Sequence, residues 1–385
     1  MRTRLMTVSL AAMMATMAST LALADITVGL IISQTGPVSS IGIPYARGIA
    51  AGQVYQGDVG GEKIKIITLD DTSDPSVAAK NARKLIEDDK VDVIIGSAGS
   101  PATAAIIAAA TELKVPVIAP SPIPNVPKAD GKPWAISIPQ SPPDMMGIVV
   151  EEMKAQGVTN IGFIGFSDAW GDLVYNNSKL TADKLGMTIS TNERYARADT
   201  SVSGQILKVI AAKPDAVMGG GSGTGGSLPY LALAERGYKG GIYGTPAVIN
   251  PDFVRLVGEA GEGLIASAGP ILVVEQLPDT APTKAIGLKF REAHLKANNV
   301  ATTDGFAPYA FDCYLVLLDA AKRALPTAKP GTPEFRSALR DAIYTTKDLV
   351  GTHGVYTFTE ARHTGTDRRS LVLVKLVKGQ WTFYK

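Results

Sequence analysis

The residue types that most often carry out chemistry are scarce in this 385-residue chain. It has one cysteine, Cys313, and three histidines, His294, His353 and His363. A single cysteine excludes an intramolecular disulfide and a cysteine-cluster metal site. The histidines offer little material for zinc binding or His-based catalysis, and the chain contains no G-x-S-x-G nucleophile elbow. These features weigh against most hydrolytic and metal-dependent enzymes.

One loop matches a nucleotide-binding pattern, because residues 221–226 read Gly-Ser-Gly-Thr-Gly-Gly. In a G-x-G-x-x-G loop, glycines let the backbone approach a pyrophosphate at the start of a helix. A dinucleotide site also needs an acidic residue where the next strand ends, and 242–245 contain none. The sequence therefore favours a plain glycine loop beside a cleft, and a nucleotide-using enzyme is kept as an alternative.

Asp70 and Asp71 form an adjacent carboxylate pair that could be read as a metal site. Acids at strand ends more often accept N–H bonds from the helix that follows. We therefore predict no metal site and no cofactor.

The elements that position these residues form two series in which apolar strands alternate with helices. In the first series, strands are predicted at 26–32, 64–69, 91–95 and 115–119, and helices at 44–55, 75–88 and 102–113. In the second series, strands are predicted at 161–165, 188–195, 216–219 and 241–243, and helices at 143–156, 172–185, 202–211 and 227–236. Helices at 283–298, 307–324 and 333–342 and strands at 356–358, 370–377 and 380–383 follow. Such alternation indicates parallel sheets covered on both sides.

Open α/β sheets bind ligands beyond the carboxyl ends of their strands. The loops expected there are 33–40, 70–73, 96–100, 119–123, 166–171, 196–201, 220–226 and 245–248. They contain many serines, threonines and glycines, together with Gln34, Trp170 and Arg197, and no histidine or cysteine. Hydroxyl and backbone N–H groups beside an aromatic side chain suit binding of a small anion better than catalysis. Arg197 is either a ligand contact or a solvated surface residue.

Charge and the N-terminal segment indicate where the protein works. Lys and Arg number 38 against 36 Asp and Glu, so the basic excess of a nucleic-acid binder is absent and no nucleic-acid partner is predicted. Residues 1–24 carry two arginines among the first four residues, continue with an apolar run and end in Ala22-Leu23-Ala24. This order is typical of a secretory signal peptide, so we predict cleavage after Ala24. A retained N-terminal membrane anchor is the alternative.

Five motifs are spread along the mature chain: 26–37 with Thr-Gly-Pro at 35–37, 94–100, 115–120, Asp-Ala-Trp-Gly at 168–171 and Tyr-Ala-Phe-Asp at 309–312. Their order and spacing resemble those of the branched-chain amino acid ABC-transporter substrate-binding proteins. The resemblance implies a type I periplasmic-binding-protein fold, an α/β architecture of two doubly wound parallel-sheet lobes joined by three crossovers, which close on a ligand like a hinge. It divides the mature chain into lobe 1, 25–140 plus 272–349, and lobe 2, 141–271 plus 350–385.

The same resemblance implies a non-enzymatic, monomeric periplasmic receptor that delivers a small solute to an ABC permease of the inner membrane. It places Ser100 at the ligand carboxylate, Ser121 and Ile123 in a loop for carboxylate and ammonium, and Trp170 over the ligand. The full set of predicted ligand-binding residues is Gln34, Ser97, Ser100, Ser121, Ile123, Trp170, Arg197, Ser222, Thr224, Pro246 and Tyr309.

Two departures from the family pattern bear on the ligand. Ile123 stands where amino-acid binders carry a hydroxyl, and Pro246 stands near their glutamate for the α-ammonium. A buried ammonium without an anionic partner is costly. We therefore predict an aromatic or apolar carboxylate that lacks the amino group. Amino-acid binding with Asp168 as the ammonium partner, and a ligand-sensing regulatory domain, remain alternatives.

Overall fold

A computed structural model describes residues 25–123 and 125–385 of the chain. The predicted signal peptide, 1–24, lies outside the described residues. Within the described part, no helix is long and apolar enough to cross a membrane.

The first sheet is built from the N-terminal strand series and is almost entirely parallel. Its strands are β1 (Ile26–Ile32), β2 (Asp58–Val59), β3 (Glu62–Asp70), β4 (Val93–Gly96), β5 (Val117–Ala119) and β8 (Ala135–Ser137), in the order β2-β3-β1-β4-β5-β8. A separate hairpin joins β6 (Lys128–Ala129) and β7 (Lys132–Pro133). Helices α1 (Ser39–Tyr55), α2 (Pro75–Glu87) and α3 (Ser100–Glu112) connect the strands. The interior strand β4 is buried at every residue, as expected for a sheet covered on both faces.

The second sheet contains the second series and the C-terminal hairpin. Its strands are β9 (Asn160–Phe166), β10 (Thr188–Ile189), β11 (Glu193–Tyr195), β12 (Ala216–Gly220), β13 (Gly241–Gly244), β14 (Ile265–Ala268), β17 (Val372–Val377) and β18 (Gln380–Phe383). The order is β10-β9-β12-β13-β14-β17-β18, with β11 also paired to β9. Helices α4 (Pro142–Ala155), α5 (Ala169–Lys184), α6 (Ser203–Ala211), α7 (Leu228–Glu235) and α8 (Pro251–Val257) accompany it. Only the pairs made by β17 are antiparallel.

Three later helices return to the first sheet. They are α9 (Lys284–Asn298), α10 (Ala307–Ala324) and α11 (Pro333–Tyr344), followed by a small hairpin of β15 (Leu349–Val350) and β16 (Val355–Tyr356). Helix α10 is buried along most of its length and packs with β1 and α1 in one large hydrophobic cluster. The chain thus passes between the two sheets three times, after β8, after β14 and before β17. The predicted α/β fold of two doubly wound lobes is confirmed.

Element boundaries depart from the sequence prediction where local signals compete. Helix α1 begins at Ser39, although Pro44 favours a helix start at that position and instead lies inside the helix. Helix α5 begins at Ala169, so Trp170 lies in its first turn and not in a loop as predicted. The predicted strand 188–195 divides into β10 and β11, and β8, β14 and α8 were not predicted.

The division of the chain between the lobes stays a prediction. Two observations concern the boundary at residue 350. Tyr356 and Phe358 belong to the hydrophobic cluster under the first sheet. Residue Thr364 also forms a bridge to Ser137 of β8. These contacts favour a third crossover nearer to β17 than residue 350.

Candidate ligand-binding site

The start of helix α3 supplies hydrogen-bond donors from the first lobe. Gly99 is the N-cap and has no side chain to satisfy the first N–H groups, while Pro101 fixes the first turn. The Ser100 hydroxyl donates to the Pro122 carbonyl at 2.9 Å. The backbone N–H groups of Gly99 and Ser100 make no hydrogen bond within the described part of the chain. A helix start with free N–H groups favours an anion.

Hydroxyl groups beneath this helix start hold it in position. The Ser121 and Thr103 hydroxyls lie 2.6 Å apart, and the Thr103 hydroxyl accepts from the Ser97 N–H at 3.0 Å. The Ser97 hydroxyl donates to Asp71, which also accepts from Ser33 at 2.7 Å. All of these side chains are buried. The network occupies both oxygens of the Asp71 carboxylate inside the first lobe.

An ion pair from the second lobe faces the same space. The Asp168 carboxylate caps helix α5 by accepting from the Trp170 N–H at 2.9 Å. Its other oxygen accepts from Arg197 Nε at 2.6 Å. Arg197 Nη1 donates to the Ser222 hydroxyl at 2.9 Å, and its guanidinium carbon lies 4.4 Å from the centre of the Phe166 ring. These contacts hold the guanidinium in one orientation, while among the described residues Nη2 has no hydrogen-bond partner.

Aromatic side chains form the remaining wall. Tyr45 donates to the Pro120 carbonyl at 2.6 Å, and its ring meets Phe306 edge-on with centroids 5.8 Å apart. Burial raises the pKa of Tyr45 well above its usual value, so its hydroxyl stays protonated. Trp170 donates through Nε1 to the Gly221 carbonyl at 3.1 Å and is 4% exposed. The polar end of each ring is satisfied by the protein, which leaves the apolar faces for contact.

Together these groups line a cavity between the two lobes, part of which opens to solvent. Its lining residues are Ile41, Tyr45, Ala98, Gly99, Ser100, Ser121, Pro122, Pro139, Met145, Trp170, Arg197, Ser222, Pro246, Ala247, Phe306 and Tyr309. Among these described residues Arg197 is the one charged side chain, and no carboxylate lines the cavity. The site is apolar with a positive charge and several hydrogen-bond donors.

The structure brings most of the predicted site residues to this cavity. Those that line it are Ser100, Ser121, Trp170, Arg197, Ser222, Pro246 and Tyr309. Their contact with ligand stays a prediction. The residues it places elsewhere are Gln34, Ser97, Ile123 and Thr224.

Each of the residues outside the cavity has another role. Gln34 is exposed, and its N–H donates to Asp70 at 2.9 Å. Ser97 belongs to the buried network beneath α3. The side chain of Ile123 belongs to the hydrophobic cluster that α2 and α3 form with the first sheet, and it does not line the cavity. The Thr224 N–H donates to the Ser40 hydroxyl across the cleft at 3.2 Å.

Sequence reasoning missed Tyr45, Met145 and Phe306. Tyr45 and Met145 lie inside helices, where an apolar residue gives no sign of which neighbour it will face. Phe306 precedes the first residue of the Tyr-Ala-Phe-Asp motif by three positions, and that closeness was the available signal.

The cleft is closed in this structure, because residues of the two lobes meet at its mouth. Besides the Ser40–Thr224 bond, Asn250 Nδ2 donates to the Ser40 carbonyl at 3.4 Å. Gly223 has a φ of 54°, and a Cβ atom there would lie 2.5 Å from the Ser40 hydroxyl oxygen. Only glycine fits this close approach.

The glycine loop 221–226 forms part of the cavity wall. Two of its N–H groups are used inside the protein, since Gly223 donates to the Ala247 carbonyl at 2.8 Å and Gly226 to the Ser222 carbonyl at 3.1 Å. The Gly225 carbonyl accepts from Tyr195 at 3.1 Å. A pyrophosphate would need those N–H groups free, so the loop geometry weighs against the nucleotide alternative.

Comparisons with known proteins agree with this architecture. Residues 25–380 match the family model described as Periplasmic binding protein. The chain is 26% identical over 341 residues to the Leu/Ile/Val-binding protein homolog 1 of Brucella suis, covering 84% of this chain and 87% of that one. An extracellular ligand-binding receptor from Rhodopseudomonas palustris HaA2 is 41% identical, with a TM-score of 0.90 over 94% of this chain and 100% of that one.

A more distant solved structure shares the fold alone. It is an ABC-transporter solute-binding protein from R. palustris in complex with benzoate, 20% identical, with a TM-score of 0.77 over 94% of this chain and 95% of that one. The family model and the close structural relative each span nearly all of the described chain. The chain therefore belongs to the periplasmic binding protein family, as a ligand-binding receptor of the branched-chain amino acid ABC-transporter type.

Proposed function

We propose that this receptor binds an aromatic or apolar carboxylate without an α-amino group and delivers it to an ABC permease of the inner membrane. The observation that carries the proposal is the composition of the cavity wall. Among the described lining residues it combines one arginine, a helix start and four aromatic rings, and it has no carboxylate.

The polar part of the cavity suits an anion. The free N–H groups of Gly99 and Ser100 lie on the first lobe, and the Arg197 guanidinium lies on the second. Charge-assisted hydrogen bonds of this kind are about twice as strong as neutral ones. A carboxylate bound between them would contact both lobes and stabilise the closed cleft.

The same wall offers no anionic partner for an ammonium group. Asp168, the alternative partner, already caps α5 and pairs with Arg197 at 2.6 Å. Pro246 lines the cavity near the position where amino-acid binders carry a glutamate, and it has no side-chain acceptor. A buried ammonium at this site would therefore remain without compensation for its lost hydration.

The apolar part of the cavity suits a ring or a branched chain. Tyr45, Trp170, Phe306 and Tyr309 present aromatic surface, and a ring stacked on such a surface gains about 0.5–1.5 kcal/mol beyond its area burial. The distant R. palustris solute-binding protein, which has the same fold, was solved in complex with benzoate. That precedent supports the ligand class proposed here.

The remaining features of the proposal follow from the family and the N-terminal segment. The receptor is exported, and its signal peptide is cleaved after Ala24. It works in the periplasm as a monomer and closes its lobes around the ligand. It catalyses no reaction. It needs no cofactor or metal.

Matched pairs of ligands test the proposal directly. Leucine and 4-methylpentanoate differ only in the amino group, as do phenylalanine and 3-phenylpropanoate. We expect calorimetry to show tighter binding of the deaminated member of each pair, and binding of benzoate. Tight binding of leucine with no binding of 4-methylpentanoate would contradict the proposal.

That contrary outcome defines the second candidate function, branched-chain amino acid binding. It is favoured by the similarity to Leu/Ile/Val-binding protein homologs. In that case Asp168 would have to exchange its partner from Arg197 to the ligand's ammonium group.

A further inference from the structure

A buried chain of hydrogen bonds runs through the crossovers that join the lobes. The Tyr309 hydroxyl donates to Gln140 Oε1 at 2.6 Å, and Gln140 Nε2 donates to the Ser370 carbonyl at 2.9 Å. The exposed fractions of Tyr309, Gln140 and Ser370 are 3%, 1% and 5%. Removing one partner of such a buried hydrogen bond lowers the stability of the fold, because no water can replace the lost partner of the other group.

Two of the three residues lie in crossovers, and the third lies in the first lobe. Gln140 lies in the first crossover, between β8 and α4, and Ser370 lies in the last crossover, just before β17. Tyr309 lies in the first turn of α10 and belongs to the first lobe's hydrophobic cluster. The chain of bonds therefore ties both crossovers to one aromatic side chain.

The second crossover reaches Tyr309 indirectly, through His353 in the turn between β15 and β16. The imidazole of His353 stacks on the Tyr309 ring with centroids 3.6 Å apart and planes 6° from parallel. Burial lowers the pKa of His353 to about 3, so the stacked ring is neutral at ordinary pH. A Cβ atom at Gly269, which directly follows β14, would lie 1.8 Å from His353 Nδ1. All three crossovers thus converge on the Tyr309–His353 pair.

Tyr309 also lines the ligand cavity, whereas Gln140 does not. The amide group of Gln140 therefore links the Tyr309 ring in the cavity to the first and last crossovers. Glutamine suits this place because its amide both accepts from the tyrosine and donates to the carbonyl. Leucine at this position would keep most of the volume and lose both bonds.

We propose that Gln140 is a positioning residue that couples Tyr309 in the ligand cavity to the closed arrangement of the lobes. The proposal rests on the proposed function only in requiring that ligand binding closes the cleft. The Tyr309–Gln140–Ser370 chain holds the crossovers in the closed geometry, and its loss lowers the population of the closed form that binds ligand. Apparent affinity falls in proportion to that population.

Two substitutions test the coupling, Gln140→Leu and Tyr309→Phe. The second removes only the hydroxyl and keeps the ring against the ligand and His353. We expect each variant to raise the Kd of benzoate and of 3-phenylpropanoate by the same factor, about tenfold. An equal factor for both ligands is expected of a shifted closure equilibrium, because a lost contact with the part of the ligand beyond the carboxylate would change their ratio.

The matched control is Tyr230→Phe. The Tyr230 hydroxyl donates to the Tyr243 carbonyl at 2.9 Å and is as deeply buried, but both residues lie inside the second lobe. This variant should lose thermal stability and keep the wild-type Kd. Small-angle scattering should show that the Gln140 and Tyr309 variants need more ligand than the wild type to reach the compact form.

Unchanged Kd values in both Gln140→Leu and Tyr309→Phe would overturn the coupling, as would a changed ratio between the two ligands. Failure of the proposed ligand class has a different signature. If the wild type binds leucine instead, the same variants are titrated with leucine and isoleucine, and the coupling still predicts one common factor.

Discussion

Replacing Arg197 with alanine separates the proposed ligand class from its main alternative. The guanidinium is the one charged group among the described cavity-lining residues and is fixed by Asp168, Ser222 and the Phe166 ring. Its side chain is only 17% exposed, so little water screens it. Removing it takes a preorganised cation from the site and leaves the Asp168 carboxylate without its partner.

The magnitude follows from the contacts that are lost. A hydrogen bond to a charged group contributes about 1.5–3 kcal/mol, which corresponds to a rise in Kd of about 10- to 150-fold. The uncovered Asp168 carboxylate repels a ligand carboxylate and acts in the same direction. It attracts an ammonium, however, so leucine should lose less affinity than 4-methylpentanoate. Arg197→Ala should therefore shift the ratio of their Kd values toward the amino acid.

Arg194→Ala is a matched control for this experiment. Arg194 also lies close to an aromatic ring, with its guanidinium carbon 5.3 Å from the centre of Phe163, and it pairs with Asp172 at 3.1 Å. It does not line the cavity. Calorimetry of wild type and both variants with benzoate, 4-methylpentanoate and leucine measures the effect. Equal, small changes in Kd for the two arginine variants would refute the assignment of Arg197 as the carboxylate partner.

Other expectations concern closure, pH and export. Gly223→Ala should weaken ligand binding by tenfold or more, about 1.4 kcal/mol or above, because its Cβ would lie 2.5 Å from the Ser40 hydroxyl oxygen in the closed form. Calorimetry of Gly223→Ala and of the double variant with Ser40→Ala should show partial recovery in the latter, and full wild-type affinity of the single variant would contradict the closed geometry. Burial raises the pKa of Asp304 to about 7. The stability that its protonated form contributes is present below about pH 4 and is lost as the pH rises through 7. Asp304→Asn should therefore gain thermal stability relative to wild type between pH 5 and pH 8, and a constant Tm difference would count against the raised pKa. Mass spectrometry of exported protein should find Asp25 at the N-terminus, and an intact N-terminus in the membrane fraction would show that the segment is retained.

The sequence alone determined the alternation of strands and helices and where many helices start. Asp74 followed by Pro75 predicted the start of α2, and the structure shows the Asp74 carboxylate accepting from the N–H groups of Ser76 at 2.7 Å and Val77 at 3.0 Å. Such signals are local, because a cap and the N–H groups it satisfies lie within three residues of each other. The rule that ligands bind beyond the carboxyl ends of parallel strands then brought Ser100, Arg197 and Ser222 into the predicted site.

Two features of the site were decided by tertiary packing. Asp168 and Arg197 are separated by 29 residues and meet because β9 and β11 are neighbours in the second sheet. Their pairing occupies the acid that the sequence left open as an ammonium partner. The tertiary structure also decides where the Ile123 side chain lies. Whether it faces the cavity or the hydrophobic core depends on which helices cover that edge of the first sheet.

The aromatic wall shows the limit of sequence reasoning most clearly. Tyr45 comes from α1, Trp170 from α5, and Phe306 and Tyr309 from the start of α10. Periodicity shows that such residues are apolar faces of helices, but a buried face has the same pattern whether it meets a strand, another helix or a ligand. Which of these neighbours each ring meets is decided only by the tertiary fold, because the first lobe brings Tyr45 to the start of α10 and the second lobe brings Trp170 to the same cavity.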